Sequence, residues 1–347
     1  VGAKRRSFGL QYQPLSAGGL LFSQNARPVP ELAVYSDYIP VPFTKNLLEI
    51  KGFFAHGWLE KDRYVNAPYL HHKNLYARLG ARWPISLEYG FEHTAIWGGR
   101  SPDFGRLNEG LPDYLRVLLA TSGERIPNEI LNVYGNHLGA QQLRISYRHE
   151  QFSLAASWQT VFEDGSGKRM QNIRDGLWGL HLRNKNQKAF LCNINLEFLH
   201  TRHQSGPFHD VDGLILGGRD NYFNNSVYRD GWTYHDYIIG SPLISSPALT
   251  GVQNRGTINN RVMAWHLGLN GYVIPGLSYR AMVSRSSNYG SYQRAFSPPI
   301  KQSSWMLELN YQLPRDWALR TVIAVDHGQL YDSGLSALIS IAKSGGF

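Results

Sequence analysis

The residues best suited to chemistry lie between Gly217 and Leu243, in the stretch G-G-R-D-N-Y-F-N-N-S-V-Y-R-D-G-W-T-Y-H-D-Y-I-I-G-S-P-L. Tyr222, Phe223, Tyr228, Trp232, Tyr234 and Tyr237 supply aromatic rings, and Arg219 and Asp220 precede them. A flat ring stacks on the apolar face of a pyranose, and charged groups bind hydroxyls or carboxylates more strongly than neutral ones. One reading is therefore a sugar-binding set of Arg219, Asp220, Tyr222, Trp232 and Tyr234, with Trp232 and Tyr234 as the stacking faces. The other is that the rings pack on their own scaffold and only pin the loop. Gly, Asn and Asp are too frequent here for a continuous strand or helix, so the stretch is a loop that rigid elements must flank.

Other candidates are weaker. His200 and His203 have a spacing that could bind metal from one helical face, but they fall at an expected strand end with no third ligand nearby. Glu88 and Glu92 share a strand face and stand about 13 Å apart along it, too far for a glycosidase pair. Their expected role is to solvate a lumen. Gly165-Ser166-Gly167 reads as a turn. The chain holds no G-x-S-x-G, H-E-x-x-H or P-loop sequence. No catalysis, cofactor or metal is expected. Cys192 is the only cysteine, which excludes an internal disulfide framework. No basic cluster is interleaved with stacking aromatics on one element, so nucleic acid is not an expected partner.

The elements that must position the loop read as strands. Ile85, Leu87, Tyr89 and Phe91 alternate with Ser86, Glu88, Gly90 and Glu92. Met263, Trp265, Leu267 and Leu269 alternate with Ala264, His266, Gly268 and Asn270, and Trp305, Leu307 and Leu309 with Met306, Glu308 and Asn310. Period-two patterning gives one apolar and one wet face. About fourteen such segments are expected, each near ten residues, the length of a membrane-spanning strand. They lie near 4–15, 29–40, 47–58, 73–82, 85–97, 140–148, 152–161, 177–183, 189–200, 261–273, 277–287, 303–313, 317–326 and 335–347. No apolar run approaches the length of a membrane helix.

Connections alternate between short, as at Trp83-Pro84 and Ile274–Gly276, and long, as at Gly98–Gly139, Thr201–Asn260 and Asn288–Gln302. That asymmetry fits an outer-membrane barrel with tight periplasmic turns and large external loops. Trp58, Trp97, Trp158 and Trp305 sit toward the long loops and Trp83 and Trp317 toward the short turns, as two interfacial girdles would. The expected fold is all-β, a transmembrane antiparallel up-and-down outer-membrane β-barrel, with residues 1–347 as one domain. Leu15–Gly19 is expected in a first external loop. Asp113–Ala120 is expected as an amphipathic helix within a loop that folds back over the lumen. Arg78, Arg144, Arg148, Arg183, Arg280 and Arg320 fall on the inward parity, facing Glu88, Glu92, Glu197, Glu308 and Asp326. They form either a lumen ion-pair network or a guide for an anionic ligand. The formal charge of +9 also allows Lys and Arg to clamp anionic lipid headgroups.

The motif at Gly217–Tyr234, followed by Ile239-Gly240-Ser241-Pro242-Leu243, resembles the Wzi-like capsule assembly proteins, in their Bacteroidetes-type form. Segments in the same order add to the resemblance: Leu15-Ser16-Ala17-Gly18, Asn25-Ala26-Arg27-Pro28, Pro42-Phe43-Thr44-Lys45, Phe54-Ala55-His56-Gly57-Trp58, Tyr69–Tyr76, Trp97-Gly98-Gly99, Gly135–Gly139 and Asp175-Gly176-Leu177. The resemblance implies an outer-membrane barrel that binds capsular polysaccharide or exopolysaccharide and helps attach it to the cell surface, without catalysis. It also implies additional strands and a helical element before Val1. The terminal Phe347 resembles the aromatic insertion signal of bacterial barrels. A channel or porin-like transporter for solutes or polymers is the alternative, and outer-membrane lipid or lipopolysaccharide is a further expected partner.

Overall fold

The computed structural model describes residues 1–122, 134–163, 173–207, 209–211, 214–251 and 256–345. Its wall consists of β1 (Pro30–Tyr35), β2 (Leu48–Trp58), β3 (Tyr69–Leu79), β4 (Ile85–Trp97), β5 (Asn136–Arg148), β6 (Phe152–Phe162), β7 (Gly176–Asn184), β8 (Asn193–His200), β9 (Val262–Ile274), β10 (Leu277–Gly290), β11 (Ala295–Leu313), β12 (Trp317–Gly328) and β13 (Gly334–Lys343). Each pairs antiparallel with its neighbour in the chain, and the two-residue strands Gly2–Ala3 and Ile39–Pro40 complete a 15-stranded sheet. Among the described residues no pairing joins β13 to the opposite end of this sheet.

Alternation sets which side chains share a face. In the β8–β9 register Phe198 lies opposite Trp265 and Leu196 opposite Leu267, while Glu197 lies opposite His266. Trp265 is 56% exposed and His266 is buried, so the apolar parity is the outer face of the sheet and the polar parity the inner one. A large apolar outer face around a polar interior is the composition of a membrane-spanning barrel. Trp58, Trp83, Trp305 and Trp317 are exposed on this outer wall, as an interfacial girdle requires.

The structure departs from the expected layout at five places. Residues 4–15 are not a wall strand; the chain crosses the interior there and makes one 3₁₀ turn at Gln13–Leu15. Leu15–Gly19 is therefore inside the sheet and not in an external loop: the Ala17 amide donates to Glu197 Oε2 at 2.8 Å. The loop Asn288–Gln302 is mostly strand, because β10 and β11 extend to Gly290 and from Ala295. The helix expected at 113–120 forms as α1 (Leu111–Leu119), but it lies on the outer wall and not over the lumen. Its Val117 packs with Ala95, Trp97 and Tyr134, and Tyr114 and Tyr69 join the cluster. Lys73 Nζ donates to the Leu118 carbonyl, placing a cation at the helix C-terminus where the dipole favours it. Trp97 is accordingly 3% exposed under α1 and leaves the expected girdle. Gly165-Ser166-Gly167 and Phe347 lie outside the described residues.

The inner polar face holds the N-terminal segment. Gly9 N–H donates to the Tyr76 hydroxyl on β3, Leu10 N–H to Gln142 on β5 and Leu20 N–H to Gln159 on β6. The Leu15 carbonyl accepts from Asn195 on β8 and from His266 Nε2 on β9, at 3.2 and 2.9 Å. The Tyr12 ring stacks on His181 of β7 at 3.7 Å and 10°. One short segment reaching six strands through their inward side chains requires the sheet to curl around it.

Candidate functional site

A chain inside a barrel must satisfy its backbone hydrogen bonds without a sheet of its own. Inward Gln, Glu, Asn and His side chains do this for residues 9–20, so several lumen positions serve the segment rather than open water. Arg144 donates to the Leu10 carbonyl and Arg280 to that of Pro14. The expected ion-pair network exists only in part. Glu308 joins Arg280 and Arg320, while Arg78 pairs with Glu49, an inward carboxylate that was not among the expected acids. Glu88 instead accepts from the Tyr38 hydroxyl and Glu92 from that of Tyr76.

The aromatic loop closes over this segment from the long-loop side. Trp232 is fully buried and its indole Nε1 donates to the Leu21 carbonyl at 2.7 Å. Ser23 N–H donates to the Ile239 carbonyl, and Ser23 Oγ to that of Gly240. Gly240 is needed for this approach, since a Cβ there would stand 2.0 Å from the Leu20 carbonyl oxygen. Gly231 has φ +66° and a Cβ would meet the Phe223 carbonyl at 2.2 Å, so the turn before Trp232 also requires glycine. Trp232 belongs to a single apolar cluster with Leu20, Leu21, Ile96, Leu138, Val161, Leu199, Tyr222 and Val262.

A neighbouring loop supplies the lock. The Arg63 guanidinium is almost fully buried and donates to the carbonyls of Thr233 and Gly231, at 2.6 and 3.1 Å, while pairing with Glu60. Asp230 accepts from the Tyr64 amide at 2.7 Å. Burial raises the Asp230 carboxyl above its ordinary range, against the opposing pull of Arg63. Burial likewise raises the Tyr222 and Tyr234 hydroxyls.

The five sequence-expected site residues thus fall into two groups. Tyr222, Trp232 and Tyr234 are buried, at 0%, 0% and 7% exposure, and present no open ring face. Arg219 is exposed at the rim, with its guanidinium 5.7 Å from the Tyr292 ring, and Asp220 beside it accepts from Ser205 Oγ at 2.6 Å. The outer surface of the loop carries Tyr237, already counted among its rings, and the Arg229–Asp103–Tyr64 set, which sequence reasoning missed. Arg229 pairs with Asp103 at 2.7 Å and stacks 4.3 Å over Tyr64, and Tyr237 is 37% exposed. No local signal could have joined Arg229 to Asp103, because 126 residues separate them. The same face holds His235, whose amide donates to Glu60. His200 contacts Asp175, and among the described residues no group of three or more His, Cys, Asp or Glu side chains could hold a metal.

The chain is similar to known proteins in fold and in sequence. The solved structure of an outer-membrane protein from Escherichia coli, described as involved in group 1 capsule assembly and as a carbohydrate-binding β-barrel, matches with a TM-score of 0.61 at 15% identity. The alignment covers 96% of the present chain and 64% of that one, so the chain spans under two thirds of its length. OccK10 and OprD of Pseudomonas aeruginosa are aligned over 92% and 98% of the chain and 93% and 96% of their own, at 11% and 10% identity, with TM-scores of 0.34 and 0.33. No curated protein sequence matches. The sequence model described as "Capsule assembly protein Wzi" matches residues 2–246. That match takes in the internal N-terminal segment, strands β1 to β8 and the aromatic loop, and the chain is a member of the Wzi capsule assembly protein family.

Proposed function

We propose that this protein is a non-enzymatic outer-membrane component of capsule assembly that holds capsular polysaccharide or exopolysaccharide at the cell surface. The observation that carries the reading is the filled long-loop end of the barrel. The aromatic loop and the N-terminal segment form one apolar core there, and that core supports an outer face of rings and charges. A conducting pore needs a continuous wet path, whereas a binder needs a rigid platform. Arg219 and Asp220 make polar contacts to the glycan on this reading. Tyr222, Trp232 and Tyr234 act from beneath as positioning residues, and Tyr237 and the Tyr64–Arg229 pair offer the ring faces. The resemblance of the lumen lining to that of a channel keeps solute transport as the second reading, favoured by the polar inner residues Arg280, Asn310 and Arg320.

The test is retention of the host's own capsule polysaccharide by the purified protein, measured by titration in detergent. Arg219→Ala and Tyr237→Ala together should weaken binding about tenfold or more, with the heat-modifiable gel migration of a folded barrel preserved. Unchanged binding by the folded double variant would remove this face from the proposal.

A further inference from the structure

The outer wall meets its surroundings in two ways. On β2–β5, His71, Lys73, His93 and His137 point outward but lie in and around the α1 cluster, and His93 and His137 contact each other at 2.8 Å. On β9–β11 no described element covers the wall, and Trp265 and Trp305 are 56% and 58% exposed. Arg285 lies opposite Trp265 and Ser303 and is exposed on the same outward face. One outward step toward the long loops, Lys301 lies opposite Ser287 and donates to its hydroxyl at 2.7 Å. Beyond it the Arg261 guanidinium sits 3.9 Å over Tyr292 and donates to the Arg202 carbonyl, and Arg202 sits 4.4 Å over Tyr289.

These cations are unusual in lacking acids. Among the described residues Arg202, Arg261, Arg285 and Lys301 form no ion pair, and the outward positions of β8–β12 hold no Asp or Glu. Strand rise places Arg261 about 13 Å beyond Trp265, so the cations form a band from the level of the tryptophans outward. Tryptophan marks the boundary between acyl chains and headgroups, and guanidinium forks match phosphate oxygens bidentately. Stacking on Tyr289 and Tyr292 holds two guanidinium groups in place before any ligand arrives.

We propose that this uncovered face of β9–β11 binds the phosphate groups of lipids in the outer leaflet. Arg261, Arg285 and Lys301 grip the phosphates, Arg202 supports Arg261, and Trp265 and Trp305 seat the acyl boundary. The inference rests on the outer-membrane reading above, and heat-modifiable migration of every variant tests that reading separately. The experiment measures binding of the protein in nanodiscs to lipid A carrying its phosphates and to the same lipid after dephosphorylation. The triple variant Arg261→Gln, Arg285→Gln, Lys301→Gln should lose about 100-fold affinity for the phosphorylated form and little for the other. Lysine at positions 261 and 285 should restore part of the loss, because charge is kept while the fork is not. Equal affinity of wild type and triple variant for the phosphorylated lipid would overturn the proposal. So would loss of polysaccharide retention with lipid affinity unchanged, which would assign the patch to the glycan.

Discussion

The two ends of the barrel solve opposite problems with the same strands. Toward the long loops, inward positions turn apolar: Ile96, Leu138, Val161, Leu199 and Val262 meet Leu20, Leu21 and Trp232 in one buried cluster. Toward the short turns, inward positions stay charged or amidic. Arg320 keeps 49% of its side chain exposed while pairing with Glu308, and Arg148 and Arg183 are open to solvent. The long-loop end therefore behaves like the core of a soluble domain set inside a barrel, and the short-turn end like a wet vestibule. Stability should be concentrated at the first and nearly absent from the second.

The largest effect should come from Trp232→Ala. Truncating a fully buried tryptophan costs about 3–5 kcal/mol and leaves the Leu21 carbonyl without its indole donor. Limited proteolysis should then cut within the loop while the wall strands survive. Leu309→Arg on the outer wall, four residues inward from Trp305, should cost about 2–4 kcal/mol as the bilayer midplane is approached, read from unfolding in lipid, whereas substitution of inward Asn310 should cost far less. If both parities respond alike, the assignment of faces is wrong. Gly240→Ala places a methyl against the Leu20 carbonyl and should cost about 1–3 kcal/mol through overpacking, again seen as protease access to the loop. Arg320→Ala, at the vestibule end, should cost at most about 1 kcal/mol, because its ion pair is half exposed. A cost as large as that of Trp232→Ala would erase the distinction between the ends.

A smaller effect follows from Asp230. Its carboxyl is raised by burial above the ordinary value of 3.8, so the folded loop binds its proton more tightly than the unfolded chain does. The associated stability is fully present below the ordinary value and is lost as pH rises through the raised one. Protease cutting of the loop should quicken across that window, and Asp230→Asn should flatten the profile.

Most of the wall was legible in the sequence because each strand contrasts a lipid-compatible face with a wet one. Strands β9 to β12 show this cleanly, since neither the described loops nor α1 cover their outer face. Legibility failed where a third element intervened. Phe8, Leu10 and Tyr12 alternate with polar residues as a strand would, yet that segment packs between inward side chains of the barrel. His71 and Lys73 break the outward apolar pattern because α1, and not lipid, meets them through Tyr114 and the Leu118 carbonyl. The aromatic loop was legible as something held, but its partners Leu21, Arg63 and Glu60 lie far away in the chain, and no spacing rule connects them to Trp232.

On the proposed function, the long-loop end is a sealed platform for binding and not the mouth of a channel. Conductance of the protein in planar lipid bilayers tests it most directly, with wild type and Trp232→Ala measured side by side. Wild type should show no steady open level, and Trp232→Ala should show frequent openings as the loop loosens. A steady, porin-like conductance in wild type that Trp232→Ala leaves unchanged would instead make the long-loop end a channel mouth.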